Sequence, residues 1–281
     1  MPPDLLFAIS VMLATSTAIF FLDCRLLQKP SRWLTILIAL LGTGGLVLHA
    51  IYLNENAHLV RLIPSANVIV WGNFSPIFTA LLAALAWRKM RAPLWQRALA
   101  CTALFGICIY QAYAHLLGHP PRLSPDRWTN GICRQSTTST CSAAATATLL
   151  AQYGIHTTES EMANLCLTRT RGTTALGIYR GLKIKSQSHV QILQGSLDQL
   201  LAQHRPAVIS IGLSHNDPAG VGLPIGNSHS VVLLNENPIG TLEIADPFAG
   251  LQTWKRDQLE AAWQHEAFVL NSVPTNEPIA P

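Results

Sequence analysis

Two regimes of hydrophobic patterning divide the chain. Up to about residue 117, apolar residues gather in four nearly unbroken stretches, about 5–22, 33–53, 66–87 and 98–117. Each is close to the ~20 residues a helix needs to cross a hydrocarbon core, so all four are expected to span a membrane. Beyond residue 130 the runs shorten and alternate with polar turns. There the pattern predicts helices over 141–153, 158–167, 174–183, 196–204 and 256–264. Strands are predicted over 189–193, 206–213, 228–235, 240–246, 251–254 and 266–271, with a Gly/Pro/Asn-rich loop over 214–227. Helices come first and strands later, the order of an α+β domain with an antiparallel sheet. The Pro- and Gly-rich stretch 119–130 reads as a tether between a membrane region (1–118) and that domain (131–275).

Charge sharpens the membrane reading. Only 12% of the residues are charged, and residues 1–121 hold eight Lys/Arg against three Asp/Glu. Three of those cations (Arg25, Lys29, Arg32) follow the first stretch and four (Arg88, Lys89, Arg91, Arg97) follow the third, while the loop between the second and third has only Arg61. The positive-inside rule places the two basic loops in the cytoplasm. The N-terminus and everything after about residue 118 are then expected on the outer, periplasmic side of a bacterial inner membrane. The first stretch has Asp4 in front of it and its cations behind, so it reads as an uncleaved anchor rather than a signal peptide.

No basic run is interleaved with aromatics, which argues against nucleic-acid binding. No acidic residue falls inside a stretch, which argues against a proton- or cation-coupled transporter. Gly42, Gly44 and Gly45 would let a neighbouring helix approach closely. Asn73 and Pro76 either mark a kink or, for Asn73, meet a polar partner on a neighbouring helix. His49, His58, His115 and His119 lie near the outer ends of the stretches; His115 and His119 have i, i+4 spacing, but Gly118-His119-Pro120-Pro121 is expected to end the helix before they share a face, and no third ligand is near in sequence, so no metal or cofactor is expected.

Candidate chemistry begins at Gln135-Ser-Thr-Thr-Ser-Thr-Cys141-Ser-Ala-Ala-Ala, where a polar loop gives way to a helix. A thiol at a helix N-terminus sits at the positive end of the dipole, which favours its thiolate. Alone, Cys141 reads first as a small buried apolar residue, as most free cysteines are. Downstream, His229 opens one strand and Asp246 closes the next, and a hairpin through Asn235-Glu-Asn-Pro-Ile-Gly240 would set the two side by side. A thiolate, an imidazole and a carboxylate that orients it are the parts of a nucleophilic acyl-transfer site. Gln135, folded back from the preceding loop, and the Cys141 N–H are candidate donors to an oxyanion.

These residues carry a family resemblance. Gln-x5-Cys-Ser-Ala-Ala, Gln152-Tyr-Gly-Ile, Gly172-Thr-Thr, Gly181-Leu, His229-Ser-Val-Val-Leu-Leu and Asp246-Pro-Phe-Ala-Gly together resemble the double-glycine-leader peptidases. Those are papain-like cysteine peptidase domains of bacteriocin-exporting ABC transporters. The resemblance covers about residues 130–272 and implies a papain-like α+β fold. It makes Cys141 the nucleophile, His229 the general base and acid, Asp246 the orienting carboxylate and Gln135 the oxyanion donor. It also implies cleavage after a Gly-Gly pair in a leader peptide.

Thr140-Cys141-Ser142 departs from the family's usual Asp-Cys-Gly, and no Gly-x4-Gly-Lys-Ser/Thr loop is present, so no ATP-driven exporter is expected in this chain. A separate exporter or other membrane partner would have to supply transport. Two other readings share the same residues: a non-catalytic peptide-binding module, and a relative that passes the acyl group to an amine. Cys133 and Cys166 would be free to pair in an oxidising compartment if their Cα atoms came within about 7 Å.

Overall fold

The computed structural model describes residues 2–28, 31–53, 56–113, 116–212 and 228–271; the loop expected over 214–227, His115 and the end of the domain at 275 lie outside the described residues. The chain divides into two compact units, Met1–Leu117 and Gly118–Pro281.

The first unit is helical: α1 (Pro3–Leu26), α2 (Arg32–Leu48, continued by a π-helical turn His49–Leu53), α3 (Leu59–Leu62), α4 (Val68–Trp71), α5 (Ser75–Lys89) and α6 (Leu94–Tyr113). Three helical segments, Pro3–Leu26, Arg32–Leu53 and Val68–Lys89, are long and apolar enough to cross a membrane. Large apolar side chains such as Phe7, Phe21, Leu37 and Leu40 point outward from them, an exposure that is costly in water and costless in lipid. The fourth stretch forms a helix whose apolar portion, Leu94–Tyr110, is shorter than those three.

Helix α5 packs against α1, α2 and α6. A Cβ at Gly45 would stand 2.3 Å from Phe78 Cδ1 and one at Gly42 2.7 Å from Leu82 Cδ2, so both glycines serve close approach; Gly44 faces open space and does not. Among the described residues, Asn73 has no hydrogen-bond partner on another helix. Its Oδ1 accepts from the Ser75 N–H (3.2 Å) and hydroxyl (2.5 Å), closing a local turn at the break between α4 and α5. Pro76, in the first turn of α5, lacks only an N–H that would be unpaired there anyway.

The second unit begins with a two-stranded ribbon, β1 (Arg127–Thr129) and β2 (Ile132–Arg134). Residues 126–129 of the stretch read as a tether thus take part in the domain, since Asp126 Oδ1 also accepts from the Glu159 N–H (3.0 Å). Three helices follow: α7 (Cys141–Ala151), α8 (Glu159–Leu165) and α9 (Ala175–Ser186). After them come β3 (Val190–Gln194), α10 (Leu197–Leu201), β4 (Ala207–Gly212), β5 (Ser228–Glu236), β6 (Thr241–Asp246), β7 (Gly250–Lys255), α11 (Arg256–Ala262) and β8 (Trp263–Leu270). The strands form one antiparallel sheet in the order β3-β8-β4-β5-β6-β7.

A core of Leu197, Leu200, Val231, Leu233, Ile244, Trp254, Leu259 and Trp263 binds α10 and α11 to the sheet. Helix α7 is buried from Cys141 to Leu150 and packs on β5, α8 and α9. Its small residues suit a helix surrounded on all sides. Its buried hydroxyls are satisfied locally: Thr146 and Thr148 donate to carbonyls one turn back, and Thr148 also accepts the Cys133 N–H at 3.0 Å, tying β2 to α7. Cys133 and Cys166 are free, buried thiols.

Candidate active site

The loop that delivers Cys141 is pinned at several points. The Gln135 N–H donates to the Pro247 carbonyl (3.1 Å), immediately after Asp246. The Ser136 N–H donates to Glu159 Oε1 (2.8 Å), from a side chain that is almost fully buried. Thr137 and Thr140 close a turn, with the Thr140 N–H and hydroxyl both on the Thr137 carbonyl. The Thr140 side chain is therefore turned away from the start of α7 and makes no cap bond there. Donors in the first helical turn keep their positive character beside the thiol.

Strands β5 and β6 pair antiparallel, Val232 opposite Ala245, and this register brings His229 to Asp246. His229 Nε2 lies 3.0 Å from Asp246 Oδ1, and both side chains are buried. The same Oδ1 accepts from the backbone N–H groups of Phe248 (2.7 Å) and Ala249 (3.2 Å). With Nε2 committed to the carboxylate, Nδ1 is the ring nitrogen left for the thiol; Cys141 and His229 line the same cleft, and the ring is a main influence on the proton affinity of the thiol.

The electrostatics follow from these contacts. Burial pushes the Cys141 thiol up, but the hydrogen bond to His229, that ring's charge, the Ser230 N–H and the Ser142 hydroxyl together outweigh it and bring it below the ordinary thiol range. Burial pulls His229 down, but the bonds to Asp246 and Cys141 and their negative charges raise it to about 9. Burial alone would raise Asp246; His229 and the Phe248 and Ala249 N–H groups hold it below the usual carboxylate range. The arrangement favours a thiolate–imidazolium pair, the reactive form of a cysteine nucleophile. By contrast, burial pushes Cys133 and Cys166 each up to about 12, so neither resembles a nucleophile.

Of the residues singled out in the sequence, the fold thus brings Cys141, His229 and Asp246 together. Gln135 sits on the adjoining loop with its Nε2 donating to the Thr137 carbonyl (2.9 Å), which leaves the second amide hydrogen uncommitted by that bond. Two neighbours carried no sequence signal for the site. Ser230 lies within a β-branched run where a hydroxyl reads as one more pleat position, and Glu159 reads as an ordinary first-turn acid of α8. Ser142, which stands where the resembled family has glycine, bonds the Ser230 hydroxyl at 2.8 Å and lies 4.0 Å from Cys141 Sγ, joining the start of α7 to β5 directly behind the thiol.

Cys141 and His229 open onto a cleft of about 850 Å³ whose walls include Ser139, Arg171, Thr173, Gln194 and Glu266. Among the described residues no group of three His, Cys, Asp or Glu side chains is placed to hold a metal ion.

Against known families, residues 129–275 match the sequence profile of the peptidase C39 family, slightly more than half of the chain. The chain belongs to the peptidase C39 family. The double-glycine-leader resemblance read from Gln135, Cys141, His229 and Asp246 is a resemblance to this family. No curated protein matches the chain.

Three solved structures are similar to the C39 domain. The peptidase domain of Streptococcus ComA, a bi-functional ABC transporter involved in a quorum-sensing pathway, is 20% identical over 49% of this chain and 94% of that one, with a TM-score of 0.41. A double glycine motif protease from an AMS/PCAT transporter, in complex with the leader peptide, is 16% identical over 52% and 94%, with a TM-score of 0.42. The N-terminal peptidase C39 like domain of a toxin secretion ATP-binding protein from Vibrio parahaemolyticus is 11% identical over 47% and 97%, with a TM-score of 0.37.

Proposed function

We propose that this protein is a membrane-anchored cysteine peptidase that cleaves a peptide bond in a leader peptide or small protein, after small residues such as Gly-Gly. The observation that carries the reading is the buried 3.0 Å contact between His229 Nε2 and Asp246 Oδ1, with the Cys141 thiol at the start of α7 on the wall of the same cleft as that imidazole. In the first step the Cys141 thiolate attacks the substrate carbonyl carbon. Its C–S bond forms, the C–N bond breaks, and His229 passes its proton to the leaving amine. In the second step the neutral imidazole takes a proton from water, whose oxygen attacks the thioester and releases the acid and the Cys141 thiolate, restoring the thiolate–imidazolium pair. Asp246 keeps its charge throughout, holding the ring and stabilising its protonated form. The Cys141 N–H and the uncommitted Gln135 amide hydrogen stabilise the oxyanion.

Peptide preference tests the substrate assignment. Full-length protein in detergent is expected to cleave peptides with Gly-Gly before the scissile bond at least about tenfold faster than matched Leu-Leu peptides, because a bulky side chain needs room that a subsite shaped for glycine lacks. Equal rates would remove the small-residue assignment.

The apolar helices support an anchoring role, and the loop charges support four spans, a tether over 119–130 and a domain facing the periplasm. A separate exporter or other membrane partner is the expected recipient of the product. A phosphatase active only outside the cytoplasm, fused after Pro281, is expected to be active; activity of a cytoplasm-only reporter at the same position would reverse the topology.

A further inference from the structure

Among the described residues, the cleft contains a carboxylate that is in no ion pair. Glu266 lines the same cleft as Cys141 and His229 and pairs in register with Gln194 at the end of β3. Burial pushes its carboxyl up, opposed by a hydrogen bond from the Gln194 side chain. The ion pairs seen among the described residues of this unit join Lys185 to Glu161, Arg256 to Asp198 and His229 to Asp246, and none reaches Glu266. Residues 213–227 and 272–281 contain no lysine or arginine. His265, the nearest titratable neighbour in sequence, has Nδ1 at 3.3 Å from the Gly195 carbonyl and its ring 5.4 Å from that of Trp263. A half-buried carboxylate with only a neutral amide for company is a poor bargain for folding, and a cation supplied from outside would relieve it.

The backbone is bent to put Glu266 there. A regular strand presents alternate residues to one face, yet Gln264, His265 and Glu266 all line the cleft. The cause is an irregularity in β8: its register against β4 shifts between Ile209 and Ile211, and His265 adopts φ 60°, a left-handed conformation unusual for a non-glycine residue. Such strain is held at sites where it places a side chain for use. On the loop between α8 and α9, Arg171 lines the same cleft, so its walls carry both signs of charge. A cationic side chain is repelled by Arg171 and attracted by Glu266.

From this placement we infer that Glu266 is a specificity residue that selects peptides carrying Lys or Arg close to the small residues at the scissile bond. The inference rests on the peptidase reading of the cleft and adds the charge of the substrate to it.

The test measures binding, so that it does not depend on turnover. Full-length protein with Cys141→Ala, in detergent, is titrated against fluorescein-labelled peptides with a central Gly-Gly pair. Lys, Gln or Glu is placed in turn at each of two positions on either side. At one position the Lys peptide is expected to bind about five- to tenfold more tightly than the Gln peptide, and the Glu peptide more weakly than both. Glu266→Gln removes that preference and Glu266→Lys inverts it.

Equal affinities across the three charges at every position, no binding of any peptide, or a Lys preference that survives Glu266→Gln would each overturn the inference. The first two outcomes need no variant at Glu266 and are independent of how such variants fold. The peptidase reading fails in a different way: the protein with Cys141 intact would bind the Lys peptide preferentially and cleave none of the set.

Discussion

Cys141→Ala is expected to reduce peptide cleavage by about 10³-fold or more, to the level of an enzyme left with binding and oxyanion donors but no nucleophile. The two other thiols of the domain cannot substitute, because burial pushes both Cys133 and Cys166 up to about 12 and leaves them protonated at neutral pH. The substitution removes one sulfur from a helix start whose other contacts run through backbone and neighbouring hydroxyls, so melting temperature should move by only a few degrees. Cleavage of a Gly-Gly peptide, together with labelling by a thiol-reactive peptide electrophile, reads both consequences. Unchanged labelling and turnover in Cys141→Ala would refute the peptidase assignment.

Asp246→Asn should cost about 10²- to 10⁴-fold in cleavage while leaving the side chain nearly isosteric. An asparagine oxygen can still accept the Phe248 and Ala249 N–H groups, so the turn after β6 is retained; what disappears is the negative charge facing His229. The sign of the effect on pH dependence follows from the shifts. In the wild type, His229 stays protonated up to about 9 and Cys141 ionises below the ordinary thiol range, so alkylation by iodoacetamide persists at pH values where a free thiol is protonated. It is lost as pH falls through the lowered thiol value. Cleavage falls on the alkaline side near 9, where the imidazolium can no longer protonate the leaving amine.

Without the carboxylate charge the imidazolium is less stable, so in Asp246→Asn the alkaline limb moves down. The thiolate loses its strongest cationic neighbour, so the acid limb moves up. A variant whose cleavage–pH profile kept the wild-type width would show that Asp246 acts only as a turn former.

Much of this site was legible along the chain because its signals are local. A cysteine at the junction of a polar loop and an Ala-rich run announces a helix N-terminus, and a turn of Asn, Pro and Gly between β-branched runs announces a hairpin. Once the hairpin is accepted, the His at its first strand and the Asp at its last must approach each other, and the 3.0 Å contact is that consequence. Gln135 was legible as a loop neighbour of the thiol, but the direction of its amide was not, since Thr137 two residues on accepts it.

The elements the patterning missed are equally instructive. Strands β1 and β2 are three residues each, too short to show alternation, and they exist because they pair with each other and because β2 is bonded to Thr148 of α7. The third apolar stretch is split at Gly72–Phe74, where Asn73 closes a turn onto Ser75, the first residue of α5, from within a hydrophobic run.

Taken alone, the amino-acid sequence determined the class of the longer segments and the chemistry available to them. Periodicity, caps and turn residues act over a few positions and need no knowledge of the rest of the fold. Only the tertiary structure decided that β8 inserts between β3 and β4, that its irregularity turns Glu266 into the cleft, and that Ser142 meets Ser230 behind the thiol. Those outcomes depend on register between strands and helices far apart in the chain. Register is set by how whole faces pack against one another, a quantity that no single stretch of residues contains.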